Sequence, residues 1–259
     1  MLIYVHFKEK IRAYSLSKKR IIKWYAQIFL HRITLEQILY PKKIPIIINS
    51  YNRHTYLKKL VEFLEKKGYK NIIILDNQSN FQPLLTYYTT LPYKVIYLEN
   101  NFGHLALWKS NVIAAYNKGF FVYTDSDVLP VEDCPSNFLK YFIKLMVRFG
   151  YKKVGFGLKI DDIPDHFNQK YEVIEWEKNY WLFPLKKDTY KAKIDTTFAL
   201  YAPGYSASSG FLNAIRTGGK YLARHLPWYE NSKTLNAEQK QYYNSSNTST
   251  HWTSYQQKE

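Results

Sequence analysis

A chain of 259 residues with 46% hydrophobic content can fill one sizeable core. Its 37 Lys and Arg against 21 Asp and Glu leave a net charge of +16, which favours an anionic partner: nucleic acid, acidic lipid or a phosphorylated small molecule. A single cysteine, Cys134, excludes an internal disulfide framework and any multi-cysteine metal site.

Residues 1–40 hold eight Lys/Arg against two Glu, and Ile21, Trp24, Tyr25 and Ile28 recur at helical spacing among Lys18, Lys19, Arg20 and Lys23. The pattern predicts a basic amphipathic extension over 1–43 that either packs on the domain or meets an anionic membrane surface. Lys or Arg interrupts every run before it reaches the roughly 18 apolar residues of a spanning helix, and no secretory leader is visible. The expectation is a cytoplasmic protein, soluble or peripheral at the inner membrane face.

From Ile44 onward short apolar runs alternate with helical stripes. Residues 44–48, 71–75, 93–98 and 120–124 read as buried strands. Between them, Leu57, Leu60, Val61 and Leu64 form a stripe closed by Gly68; Leu105, Trp108, Val112 and Ala115 form one closed by Gly119; Phe138, Phe142, Leu145 and Phe149 form one closed by Gly150. Strands and helices at this spacing predict an α/β fold with a parallel sheet covered on both faces. The second half, with strands expected at 154–160 and 197–201, is less regular. A polar tail, frayed from Asn244 apart from the anchor Trp252, completes the chain.

Ligands of open parallel sheets bind beyond the carboxyl ends of the strands. Polar clusters follow all four predicted strands: Asn49, Ser50, Asn52 and Arg53; Asp76, Asn77 and Ser79; Glu99, Asn100, Asn101, Gly103 and His104; Asp125, Ser126 and Asp127. Each cluster alone reads equally as helix capping; four in succession point to a site. No glycine fingerprint or P-loop is present, so a nucleotide here must be held by side chains or a metal. Asp125 and Asp127, one residue apart after a fully apolar strand, can hold Mg²⁺ or Mn²⁺ and through it a diphosphate. A phosphotransferase of the haloacid-dehalogenase type also uses an Asp pair, but at the first strand and with Thr or Val where this chain has Leu129.

These residues, with 46–53, 75–77, 100–103, 123–127, 195–201 and 224–229, resemble a GT-A-type glycosyltransferase of the family 2 group, similar to enzymes of bacterial capsule and lipopolysaccharide synthesis. The resemblance spans about 44–230, with a nucleotide-binding half (44–130), an acceptor half (131–230) and a tail (231–259). It implies a Rossmann-like GT-A fold with a mostly parallel central sheet. Ser50, Asn52, Arg53 and Asp76, with Asn101, Gly103, Asp125 and Ser126, would line the nucleotide site. Asp125, Asp127 and His225 would be the metal ligands, although His225 beside Trp228 also reads as a packed histidine.

Inverting transfer needs a carboxylate to take the acceptor proton. Asp161, Asp162, Glu177 and Asp195 are the candidates, with Asp195 first and Glu177 second. Trp176, Trp181, Trp228 and Trp108 could stack on sugar faces, Trp108 reading rather as core. Gly155, Gly157, Gly218 and Gly219 mark either close backbone approach or turns. The Gln-x-x-Arg-Trp signature of the processive synthases is missing, which favours transfer of one sugar, from a UDP-sugar first, to a glycan or lipid-linked glycan. A basic nucleic-acid-binding protein would leave the strand-end clusters unexplained, and no nucleic-acid partner is expected. A nucleotidyltransferase of the same fold would need a Gly-rich basic loop after the first strand, which the segment from Ser50 to His54 does not provide.

Overall fold

The computed structural model describes residues 32–205, 213–231 and 233–246, with the single positions 19, 22 and 26. Of the amphipathic helix expected around 18–28 only positions 19, 22 and 26 are described, each helical, and the tail with Trp252 lies outside the described residues. The helices are α1 (Arg32–Leu39), α2 (His54–Lys66), α3 (Gln82–Thr90), the single turn α4 (Ala106–Lys109), α5 (Phe138–Phe149), α6 (Lys170–Lys178) and α7 (Ala237–Ser245). The strands are β1 (Ile46–Ser50), β2 (Ile72–Asp76), β3 (Lys94–Tyr97), β4 (Phe121–Asp125), β5 (Val128–Pro130), β6 (Lys153–Leu158), β7 (Pro184–Lys186), β8 (Thr189–Lys193), β9 (Ala199–Tyr201) and β10 (Asn213–His225).

All ten strands join one sheet in the order β3-β2-β1-β4-β9-β6-β10-β8-β7, with β5 on β10. The first four strands are mutually parallel, as the βα spacing predicts. Beyond β4 the sheet is mixed: β9 runs antiparallel to both β4 and β6, and β10 is parallel to β6. The α/β architecture with a parallel central block is therefore present, and the irregular second half is its antiparallel extension.

β1 carries three successive isoleucines with no polar residue among them, which suits a strand covered on both faces. Ile46 and Ile48, with Ile72, Ile74 and Val122, pack against Leu57, Leu60 and Leu64 of α2. Ile47 points the other way, into a layer with Ile73, Leu75, Phe121, Tyr123 and Leu107. Each fully buried aliphatic side chain contributes about 1.5–3 kcal/mol, so this alternation fixes the register firmly. α5 stops where expected: Gly150 adopts φ 68°, and its N–H donates to Met146 O at 2.8 Å.

The stripe around Trp108 does not form one helix. After α4 the Ser110 hydroxyl donates back to Ala106 O at 2.6 Å, and Asn111 turns left-handed at φ 62°. Ser and Asn satisfy the backbone locally and so compete with helix propagation. Trp108 is partly buried and packs against the core, with its ring edge-on to Tyr123 at 5.0 Å. Gly155 and Gly157 serve close approach: a Cβ on Gly157 would lie 2.5 Å from Thr217 O and from the Trp181 ring.

Candidate active site

Strand register assembles the site. Pairing of β1 with its neighbours sets Asn49 beside Asp125 and Ser50 beside Asp76, so the polar ends of three strands lie abreast. The long strand β10 bulges between Thr217 and Leu222, then runs antiparallel to β5 with His225 opposite Val128. That pairing carries His225 across nearly a hundred residues to Asp127, with Nε2 3.6 Å from Oδ2.

Asp125 accepts from Asn49 Nδ2 at 2.9 Å and from the Thr196 hydroxyl at 2.6 Å. Burial, followed by repulsion from Asp127, pushes its carboxyl up to about 8 despite these two bonds. No hydrogen bond reaches the Asp127 carboxylate among the described residues, and the buried Nδ1 of His225 also lacks a partner. Burial lowers the His225 pKa, which favours the neutral, ligating imidazole. Crowded carboxylates and an uncommitted histidine fit a divalent cation. Among the described residues no cluster of three or more His, Cys, Asp or Glu could hold one alone, so the remaining positions would fall to phosphate oxygens or water.

The neighbouring strand ends are tied into one network. Asn77 Nδ2 donates to Asn101 Oδ1 (2.8 Å) and Gly103 O (3.1 Å), and Asn49 Nδ2 reaches the same Gly103 carbonyl at 3.3 Å. Ser126 is buried, its N–H on Asn49 O. Asp76 is buried, accepting from the Tyr88 hydroxyl at 2.7 Å and from Ser79 N–H at 3.1 Å; the same hydroxyl lies 3.0 Å from Ser50 Oγ. Asn52, left-handed at φ 48°, gives Nδ2 to Asn80 and Ser245 and receives Asn80 and Phe81 N–H on Oδ1. Arg53 donates to Glu230 at 2.6 Å, and Glu230 also accepts from Tyr56 and Tyr243.

Asp195 sits just before β9, close to this centre. Its Oδ1 accepts from Thr196 N–H (2.7 Å), Thr197 N–H (3.2 Å) and the Thr197 hydroxyl (3.0 Å), while Oδ2 has no hydrogen bond among the described residues. Burial would raise its pKa, but the Thr197 bonds, Arg216 and Lys153 outweigh that and hold it below the usual carboxylate range. The residue keeps an exposed face. The other acids are committed. Glu177 is buried in an ion pair with Arg216 at 2.5 Å, Asp162 is bound by Arg224 and Tyr229, and Asp161 pairs with Lys159. Trp176 is 53% exposed, whereas Trp181 packs edge-on to Tyr190 at 5.0 Å, so the two do not form a pair.

Sequence reasoning passed over Asn49 and Thr196 as Asp125 partners, and Glu230, Glu238 and Tyr242 around Arg53. Only Asn49 carries a local signal, as the polar end of an isoleucine run.

The Bacillus subtilis (strain 168) protein named uncharacterized glycosyltransferase YwdF is 34% identical over 88 residues, which is 33% of this chain and 33% of that relative. The chain thus matches about a third of that relative's length. The solved structure of mannosyltransferase PcManGT from Pyrobaculum calidifontis, in complex with GDP-Man and Mn2+, aligns with 86% of this chain and 69% of its own at 13% identity and a TM-score of 0.46. The family model described as Glycosyl transferase family 2 matches residues 46–204, more than half of the chain, and the protein belongs to that family.

Proposed function

We propose that the protein is a metal-dependent, non-processive glycosyltransferase that moves one sugar from a nucleoside-diphosphate sugar to a glycan or lipid-linked glycan of a bacterial surface polysaccharide. The observation that carries this reading is the Asp125–Asp127 pair at the end of β4 facing the neutral His225, with no lysine or arginine in ion-pair contact with either carboxylate among the described residues. Asp127 and His225 would hold Mn²⁺ or Mg²⁺, with Asp125 behind them, and the bound ion would supply positive charge to the departing diphosphate. Ser50, Asp76, Asn101, Gly103 and Ser126 shape the nucleotide pocket through the strand-end network. Asn52 and Arg53 hold the loop that borders it.

Asp195 is the candidate base for the acceptor hydroxyl. Its Oδ1 is fixed by two N–H groups and a hydroxyl, which orients the free Oδ2, and its lowered pKa keeps it ionised at neutral pH. Trp176, 53% exposed on α6, suits the face of an acceptor sugar.

The other end of the sheet supports a further part of this reading, a peripheral position on an anionic membrane at the cytoplasmic face. In α1 the polar Thr34 and Gln37 are buried, Gln37 bonding both N–H and C=O of Phe120, while Leu35, Leu39 and, just after the helix, Tyr40 are exposed. Lys42, Lys43, Lys70 and Lys118 line the adjoining cleft of about 680 Å³. Among the described residues no helix is long and apolar enough to cross a membrane, so this face would adsorb rather than span.

The donor reading is tested by thermal unfolding with UDP, GDP and dTDP, each with and without Mn²⁺, in the wild type and Asp127→Ala. Ligand at a hundredfold over its Kd adds about 2.7 kcal/mol. A shift for one diphosphate that needs both Mn²⁺ and Asp127 is expected; a folded protein that responds to none of them refutes the reading.

A further inference from the structure

The helix α7 stands where the sequence reads as polar tail, and it is fastened chiefly to the loop leaving β1, with further bonds from Gln241 to Asn80 and from Tyr243 to Glu230. The Tyr51 hydroxyl donates to Ser245 O at 2.7 Å and Asn52 Nδ2 to Ser245 Oγ at 3.0 Å. Thr55 gives both its N–H and its hydroxyl to the Glu238 carboxylate, and the Arg53 guanidinium lies 3.8 Å from the centre of the Tyr242 ring. α7 has no apolar stripe of its own, since Glu238 is its one buried residue. A helix without an apolar stripe is held by its partners rather than by a core, and here most of the partners belong to this loop. α2 also starts without a side-chain cap, and Glu238 places a carboxylate at its positive end from 183 residues away.

A second observation points to a ligand beneath the helix. Arg53 is only 2% exposed and gives Nη1 to Glu230, yet Nε and Nη2 have no hydrogen bond. Buried guanidinium donors left open are costly, and such a planar donor set matches phosphate and carbonyl oxygens. Tyr242 also stands within electrostatic reach of Asp125 and Asp127. The helix is thus bonded to the β1 loop and lies within electrostatic reach of the acidic pair.

We propose that α7 is a wall of the nucleoside-diphosphate pocket: it holds the 50–55 loop in its binding shape, and Tyr242 is a positioning residue that sets the Arg53 guanidinium so that its open donors meet the ligand's oxygens. This rests on the donor reading above.

The test is calorimetric titration of the full chain with UDP and GDP in Mn²⁺, alongside the melting temperature without ligand, for the wild type, Tyr242→Ala, Tyr242→Phe and Glu238→Gln. Tyr242→Ala and Glu238→Gln should weaken binding about tenfold, near 1.4 kcal/mol, with little change in the melting temperature. Tyr242→Phe keeps the ring over Arg53 and should bind within twofold of wild type. Equal or tighter binding by Tyr242→Ala and Glu238→Gln overturns the proposal, as does an equal loss in Tyr242→Phe. Should Tyr242→Ala fail to fold, Glu238→Gln and Tyr242→Phe decide alone. If the wild type binds neither diphosphate, the donor reading falls and this inference with it; if binding depends on Asp127 but ignores α7, this inference alone falls.

Discussion

The Thr196 hydroxyl donates to Asp125 Oδ2 at 2.6 Å while the Thr196 N–H is held by Asp195 Oδ1 at 2.7 Å. One residue thus links the acidic pair at the end of β4 to the candidate base before β9. With a cation bound Asp125 would be ionised, and a hydrogen bond to a charged group contributes about 1.5–3 kcal/mol. Thr196→Val keeps the shape and the N–H bond but removes the hydroxyl. It should weaken Mn²⁺-dependent nucleotide binding roughly ten- to hundredfold, measured by titration at fixed Mn²⁺. Affinity equal to wild type would show that Asp125 needs no support from Thr196.

Asp195→Asn separates binding from chemistry. The amide oxygen can still accept the Thr196 and Thr197 bonds at Oδ1, so the loop should keep its shape, but the second position can no longer take a proton. Loss of a general base typically costs about 10²–10⁴-fold in rate. The expected result is that loss in kcat with an unchanged nucleotide Kd. A variant that turns over normally would move the base elsewhere, and Glu177, buried against Arg216, could serve only after breaking that pair.

The parts of this molecule that could be read from sequence are those with a short-range cause. The apolar runs of β1, β2 and β4 announce themselves because each is buried on both faces, and Asp125 with Asp127 is conspicuous because it follows such a run. His225 was reachable only by resemblance, since a bulged 13-residue strand brings it to Asp127. Thr196 acts on Asp125 across 71 positions, and Glu230 on Arg53 across 177; neither has any periodic signature. α7 was opaque for a related reason: its stability lies in hydrogen bonds to a distant loop, and a helix without an apolar stripe leaves no pattern. The helix expected through Trp108 failed on Ser110 and Asn111, whose local bonding outweighed the apolar spacing.

The side chains of Arg53 and Glu230 are 3% and 6% exposed and face each other at 2.6 Å. Removing one member of a buried pair leaves an uncompensated charge, at a cost of about 3–5 kcal/mol. Glu230→Ala should lower stability by that amount in denaturant or thermal unfolding, the more so because Tyr56 and Tyr243 lose their acceptor as well. The double change of Arg53→Met with Glu230→Leu should recover much of the loss. A single variant as stable as wild type would mean that Arg53 finds other acceptors beneath α7.

Lys153 offers a pH-dependent check on the frame beneath Asp195. It is fully buried in β6 and donates to the carbonyls of Ile194 and Asp195 at 2.7 and 2.5 Å. Burial, against the attraction of Asp195, brings its pKa down to about 7. The unfolded chain, with an ordinary lysine near 10.5, therefore binds more protons than the folded one between these two values. Stability from this residue should rise with pH over that window, by at most about 1.4 kcal/mol per unit, and below pH 7 the folded state carries the full cost of the buried charge. Because tyrosines titrate near the upper end, the quantity to measure is the difference in unfolding free energy between wild type and Lys153→Met from pH 6 to 9. A difference that grows in favour of wild type as pH rises is expected. A flat difference would mean that the two carbonyls keep Lys153 charged throughout, and that it fixes the Asp195 segment as an ammonium.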